Sequence, residues 1–245
     1  MICQAIILAG GLGTRLGRIT NTIPKPMLLV NRRPFLEYLV LNLKRYGVKK
    51  IVFSTGYLAE KISTFFGDGS SYGLEFTYVE ERKALGTGGA IKLSASLLED
   101  EFLVLNGDSL FDIDYRVLDN FLLSSSKSIV AIALNRVDDT KRYGRVIIDG
   151  KNVKGYIEKG QEPQPGLINA GVYVMKREVL NFLPEGFSSL EDDLFSQLVD
   201  IGLIIGHEFK GYFVDIGIPV ELKNAQSDLP IWSKKNQLFN KKLYS

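Results

Sequence analysis

Residues 3–9 read CQAIILA, a short and nearly continuous apolar run, rich in β-branched side chains, that ends against glycines. A strand with no polar face has to be covered on both sides, and that condition is met where helices flank a parallel sheet. The chain supplies those helices next. PFLEYLVLNLKRYG (34–47) offers Pro34 for a first turn, Phe35, Leu36, Leu39, Val40 and Leu43 on one side, and Gly47 as a stop. KKIVFST then reads as a strand, LAEKISTFFGDG as a helix, LEFTYVE as a strand, GGAIKLSASLL as a helix and EFLVLNGD as another buried strand. Short links between alternating strands and helices predict a doubly wound α/β sheet.

The second half changes style. GRVIIDGKNVKGYIEK carries Asp149-Gly150 between alternating segments, a hairpin signature. SIVAIAL and GLINAGVYVMK read as strands, SSLEDDLFSQLVDIG as a helix with capping-box spacing from Ser188 to Glu191, and GYFVDIGIP as the strand that closes the sheet. With no internal repeat or low-complexity linker, residues 1–230 are expected to form a single domain with a mixed sheet. The basic, glycine-free tail within 231–245 is expected to be a solvated helix or a frayed end.

Composition removes several kinds of chemistry. One cysteine, Cys3, excludes an internal disulfide and a thiolate cluster, and one histidine, His207, leaves little for Ser-His, Cys-His or histidine-rich metal sites. A net charge of +2 gives no reason to expect nucleic acid as a partner. No apolar run approaches bilayer length and no basic-then-apolar leader opens the chain, so the expected location is the cytoplasm, without membrane insertion. Self-association as a homo-oligomer is left open.

In an open α/β sheet ligands gather beyond the carboxyl ends of strands, and four such ends carry candidate groups. The first is LAGGLGTRL, followed by NTIPKPM. Its Gly11 and Gly13 lack the third glycine of a dinucleotide fingerprint, since Leu16 stands there, and no Walker loop occurs anywhere. Gly10, Gly11 and Gly13 permit close backbone approach to phosphate oxygens, while Arg15 and Lys25, the latter held between Pro24 and Pro26, supply positive charge. The second and third ends place Asp108 and Asp215 after apolar strands. Two carboxylates suit one Mg²⁺, which draws its remaining ligands from phosphates and water. The fourth, EERKALGTGGAIK, offers Gly86, Gly88 and Gly89 either as a base or ribose platform or as a compact start to a helix, with Glu81 and Thr87 beside them. Asn169 and Gly171 lie within a strand, where a glycine marks a bulge or a close approach. Asp112 and Asp114 form a D-x-D that reads as a helix lead-in, and His207 reads as a packed or surface residue.

AGGLGTRL, PKPM, LGTGGA, NGD, EK, NAG and DIGIP, in that order across nearly the whole chain, resemble the sugar-1-phosphate nucleotidyltransferases. NGD, LINAGVYV, SLEDD and VDIGIP are most similar to the branch of bacterial D-glycero-α-D-manno-heptose 1-phosphate guanylyltransferases. The resemblance implies a Rossmann-like nucleotidyltransferase fold, with a mostly parallel mixed sheet flanked by helices. It also implies a reaction in which an NTP, GTP by the nearest branch, and a sugar 1-phosphate yield an NDP-sugar and pyrophosphate for cell-surface polysaccharide synthesis. By the same resemblance Arg15, Lys25 and Asp108 are the catalytic groups, and Asp108 with Asp215 holds Mg²⁺. Leu8, Ala9, Gly10, Gly11, Gly13, Thr14, Glu81, Gly86, Thr87 and Gly88 meet the nucleotide. Asn106, Gly144, Glu158, Lys159, Asn169, Gly171 and Glu191 meet the sugar phosphate, although a helix cap would explain Glu191 without any ligand.

The chemistry agrees with the poverty of acid–base groups. A phosphate monoester has its second pKa near about 6, so the nucleophile is already largely ionised at neutral pH and no general base is needed. Transfer of a uridylyl or thymidylyl group, and a metal-dependent glycosyltransferase, are the alternatives.

Overall fold

The computed structural model describes residues 2–157 and 162–239, and the chain divides into two compact units. One comprises Cys3–Ala84, Leu105–Leu110 and the chain from Val214 onward; the other comprises Leu85–Val104 and Phe111–Phe213. In chain order the first half contains β1 (Gln4–Leu8), β2 (Leu29–Val30), β3 (Arg33–Pro34), α1 (Phe35–Arg45), β4 (Lys50–Thr55), α2 (Ala59–Phe66), β5 (Glu75–Glu80), α3 (Gly86–Leu93), β6 (Glu101–Asn106), β7 (Ser109–Phe111) and α4 (Tyr115–Leu123). The second half contains β8 (Val130–Val137), β9 (Arg145–Asp149), β10 (Asn152–Ile157), β11 (Gly166–Lys176), α5 (Ser196–Asp200), β12 (Ile204–Phe209), β13 (Phe213–Asp215) and α6 (Pro219–Lys235).

In the unit that begins at Cys3 the strands lie in the order β5-β4-β1-β6. β1 pairs in parallel with β4, with Ile6 opposite Val52, and β4 in parallel with β5, with Val52 opposite Thr77. Ala5, Ile6 and Ile7 are fully buried, as a strand without a polar face requires. Helix α1 goes further than its periodicity suggests: every residue from Phe35 to Leu43 is buried, Glu37 and Asn42 included. The buried Glu37 carboxylate is matched, since Arg33 and the Tyr72 hydroxyl both donate to it. Pro34 precedes the first turn as the N-cap residue and is not part of it.

The C-terminal segment contributes to this burial. Trp232 and Leu238 are buried, and the Phe239 ring meets Tyr38 edge-on at 5.1 Å while the Arg33 guanidinium lies 4.0 Å above it. Residues expected to be solvated therefore dock on α1, because three large apolar side chains stand among the lysines. Residues 240–245 lie outside the described residues.

In the other unit the order is β6-β11-β8-β12-β10-β9; the first four residues of β6 belong here and its last two to the first unit. β12 runs parallel to β8, while β11 opposes β8, β10 opposes β12 and β9 opposes β10, so the sheet is mixed. The register of β11 slips between Asn169 and Tyr173, and Gly171 has φ 72°, a bulge, which is one of the two readings its place in a strand allows. β13 does not close the large sheet, but forms a two-stranded ribbon with β7. Asp114 caps α4 by accepting from the Arg116 amide, and His207 packs its ring 4.7 Å from both Phe121 and Phe209.

The capping box expected from Ser188 to Glu191 is displaced. Leu190–Phe195 forms a π-helical turn, so the returning carboxylate comes four residues after the cap instead of three. Ser189 is the cap: its Oγ accepts from the Asp192 amide at 3.2 Å, and its own amide donates to Asp193 at 2.7 Å. Ser189→Ala should therefore lower stability by about 0.5–2 kcal/mol in urea denaturation, and Glu191→Gln by less than about 0.5 kcal/mol.

Phe53 is the hub of an aromatic cluster on β4, with Phe66, Phe76 and Tyr78 rings at 5.5, 5.2 and 5.3 Å. Truncation of this fully buried ring, Phe53→Ala, should cost about 3–5 kcal/mol by the same measurement. Burial, aided by the Asp68 charge, pushes the Tyr78 hydroxyl from 10.0 up to about 12. Folding thus favours the protonated phenol, so its contribution is complete below the ordinary value and disappears as pH rises through the folded one. Stability should fall between pH 10 and about 12, and Tyr78→Phe should flatten that part of a pH–denaturation series.

Candidate active site

The order β5-β4-β1-β6 contains a reversal of winding. From β1 the chain adds β4 and β5 on one side, then returns to place β6 on the other, which makes the carboxyl ends of β1 and β6 a topological switch point. Those ends carry Leu8-Ala9-Gly10 and Asn106-Gly107-Asp108, and the structure draws them together. The Gly107 amide donates to the Leu8 carbonyl at 2.9 Å. A Cβ on Gly107 would lie 2.7 Å from that carbonyl and 3.3 Å from Pro26 Cγ, so only glycine lets the two loops and the proline turn meet.

This approach sets up the charged centre. Lys25, in a short 3₁₀ turn over Lys25–Met27, forms an ion pair with Asp108 Oδ2, and Ser109 Oγ donates to Asp108 Oδ1 at 3.2 Å. The two side chains are 13% and 33% exposed, so the pair is well shielded yet open on the carboxylate side. Asp215 arrives on β13. The Ile216 amide donates to the Asp108 carbonyl at 3.0 Å, which seats the two aspartates beside one another although they are far apart in sequence. The Asp215 carboxylate accepts from the Gly217 amide. A Cβ on Gly217 would lie 2.6 Å from Asp215 Oδ1 and 3.3 Å from Lys25 Nζ, so the ammonium stands next to both acidic groups.

Among the described residues no group of three or more His, Cys, Asp and Glu could hold a metal ion. The pair Asp108 and Asp215 nonetheless suits a Mg²⁺ ion, which is usually bound through one or two carboxylates plus phosphate oxygens and water. That the pair gathers around an ammonium already marks this spot as one that favours a cation.

The rest of the opening loop surrounds this centre. Gly13 has φ 66°, and a Cβ there would lie 3.0 Å from Lys25 Cβ. Gly11, Thr14 and Arg15 are exposed, and Arg15 makes no ion pair among the described residues, so its guanidinium is available to an anion. Gly10 faces Glu81, whose Oε1 would be 2.5 Å from a Cβ at position 10 and accepts from Ser54 Oγ at 3.3 Å.

The remaining candidates belong to the other unit. Gly86 and Gly88 open α3 tightly against the chain itself: Cβ atoms there would lie 2.4 Å from the Ser188 carbonyl and 2.6 Å from Ser188 Oγ. Thr87 Oγ1 accepts from the Leu190 amide at 2.8 Å. Asn169 holds the bulge, accepting from the Gly171 amide and donating to the Tyr173 hydroxyl at 2.8 Å. Glu191 is half-buried; burial and the Glu191 charge both push the Tyr156 hydroxyl upward. Gly144 has φ 76°. Glu158 and Lys159 lie outside the described residues. Sequence reasoning did not single out Ser54, Gly107 or Gly217. The glycines stand inside NGD and DIGIP, but nothing in a string shows which carbonyl or carboxylate will press on them.

No helix among the described residues is long and apolar enough to cross a membrane. Residues 4–230 match the sequence profile of the nucleotidyl transferase family. The chain is 40% identical over 220 residues to the D-glycero-alpha-D-manno-heptose 1-phosphate guanylyltransferase of Campylobacter jejuni, covering 88% of this chain and 95% of that one. It is 37% identical over 229 residues to the enzyme of the same name from Aneurinibacillus thermoaerophilus, covering 92% and 98%. The crystal structure of HddC from Yersinia pseudotuberculosis complexed with GMP-PN superposes with a TM-score of 0.82 at 35% identity, covering 93% of this chain and all of that one. With a family profile spanning nearly its whole length and full-length relatives well above 30% identity, the chain belongs to the nucleotidyl transferase family.

Proposed function

We propose that this protein transfers a guanylyl group from GTP to D-glycero-α-D-manno-heptose 1-phosphate, releasing pyrophosphate and forming a GDP-heptose for a cell-surface polysaccharide. The observation that carries the reading is the cluster of Lys25, Asp108 and Asp215 at the switch-point ends of the sheet, with Arg15 exposed on the adjoining loop. The names of the two relatives support the choice of base and sugar. A cytoplasmic location, where nucleoside triphosphates are available, suits the reaction.

The bond that forms joins a sugar-phosphate oxygen to the α-phosphorus of the NTP, and the bond that breaks joins that phosphorus to the oxygen leading to the β-phosphate. The nucleophile is largely ionised at neutral pH, so the protein has to position two polyanions and offset their charge; it need not remove a proton. Lys25 and Arg15 are the groups for the departing pyrophosphate, with glycine-loop amides from Gly10 to Gly13 directed at phosphate oxygens. Asp108 and Asp215 would hold Mg²⁺, which when bound supplies positive charge to the phosphate oxygens. Gly86, Thr87 and Gly88 are assigned to the nucleotide, and Asn106, Gly144, Glu158, Lys159, Asn169, Gly171 and Glu191 to the sugar phosphate, on the sequence motifs.

Incubation of the protein with GTP, ATP, CTP, UTP or dTTP, a panel of sugar 1-phosphates and Mg²⁺ should give pyrophosphate fastest with GTP and the heptose 1-phosphate. Asp108→Asn and Arg15→Ala should each lower kcat by ~100-fold or more, the scale of losing one preorganised charge-stabilising group. Undiminished turnover in both variants would place the chemistry elsewhere.

A further inference from the structure

The turn between β2 and β3 carries a residue that its geometry disfavours. Val30 pairs with Arg33 in the antiparallel register, so Asn31 and Arg32 alone close the hairpin, with φ 47° and 67°. Two-residue hairpins with both central φ values positive take Asn-Gly or Asp-Gly by preference, because glycine has no Cβ to strain in the left-handed region. Asn31 fits that rule and Arg32 breaks it. The turn is held from outside by α6, where Gln226 Oε1 accepts from the Asn31 amide at 3.0 Å and Nε2 donates to the Leu29 carbonyl at 2.8 Å. A strained residue persists where its surroundings over-determine it, and such residues gather where ligands are gripped.

Arg32 is exposed, and its side chain makes no ion pair or hydrogen bond among the described residues. With Asn31, Arg33, Pro34, Glu37 and Phe65 it lines a cavity of about 600 Å³, within the size range of small-molecule sites. The other two charges there are committed to each other: Arg33 donates to both Glu37 oxygens at 3.1 and 3.2 Å and lies over the Phe239 ring. What is left uncompensated is the Arg32 guanidinium, whose planar fork suits a phosphate. The Phe65 ring, on the last turn of α2, is 45% exposed and offers the same cavity a flat apolar face. A guanidinium for phosphate and an aromatic face for a planar ring match the two halves of a nucleotide. We propose that this cavity is a second nucleotide site, in which Arg32 grips the phosphates of a nucleoside diphosphate while the base stacks on Phe65. Stacking accepts any base, so the site takes GDP and ADP alike. It shares no residue with the groups assigned to nucleotidyl transfer and does not rest on that reading.

The test counts bound nucleotide per chain by equilibrium dialysis with radiolabelled GDP, and with ADP in parallel. Wild-type protein should bind GDP both at the switch-point centre and in this cavity, and Arg32→Gly should bind one GDP fewer. Loss of the guanidinium should weaken the cavity's affinity by about 10- to 100-fold, the scale of a charge-assisted hydrogen bond. The same variant restores Asn-Gly to the turn, so its melting temperature should rise by about 2–4 °C, which separates lost binding from lost folding. Phe65→Leu should weaken GDP in the cavity by about tenfold and leave inorganic pyrophosphate, which has no base, unaffected. A GDP count that does not fall by one in Arg32→Gly, a lower melting temperature in that variant, or full GDP affinity in Phe65→Leu would each overturn the proposal. Failure of the transfer reading looks different: with no nucleotide at the switch-point centre, the count would fall from one to none in Arg32→Gly, and the cavity site would stand.

Discussion

The contact on which the site depends is the approach of Gly107 to Leu8. One backbone hydrogen bond, with no side chain in the way, closes the gap between the ends of two strands and leaves room for Pro26 to seat against them. A side chain at position 107 would press on the Leu8 carbonyl and on Pro26, the residue next to Lys25. The ion pair is therefore a product of backbone packing more than of attraction between two charges, which for partly exposed groups is modest in any case. The prolines on either side of Lys25 serve the same end, since they fix the backbone that presents it.

A second dependency runs through β13. Because it pairs with β7 and not with the large sheet, its Asp215 is delivered to the side of Asp108 by a ribbon only three residues long on each strand. Two acidic groups so placed would repel, and the ammonium of Lys25 beside them offsets that repulsion. The same charge that stabilises the free protein is the charge a phosphate ester needs. Under the proposed function, folding and ligand binding would thus make the same demand on one lysine.

Much of this was legible in the sequence, and the reasons differ from residue to residue. CQAIILA identified a strand buried on both faces, and the alternation after it gave the winding, because covering two faces leaves a chain few arrangements. Asp108 and Asp215 could be paired because each follows an apolar strand, and strands end at a common rim. What escaped was set by tertiary contact. The shift of the helix cap from Ser188 to Ser189 follows from a π-turn that no local spacing announces. The burial of Trp232, Leu238 and Phe239 depends on a receiving surface on α1, and their neighbouring lysines disguise it. The motif around Gly86 and Gly88 allows both a ligand platform and a compact start to a helix, and neither reading foresees Ser188 as the residue that lies against them.

The glycines of the opening loop and its neighbour also bear on how evolutionary records of such proteins are to be interpreted. Gly107 is imposed by the protein's own backbone, so its invariance across homologues would follow from folding alone and would carry no information about substrates. Gly11 is the opposite case: it has open space where a side chain would go, so nothing inside the molecule forbids alanine there. Purifying selection at Gly11, and not at Gly107, is the kind that would bear witness to something bound.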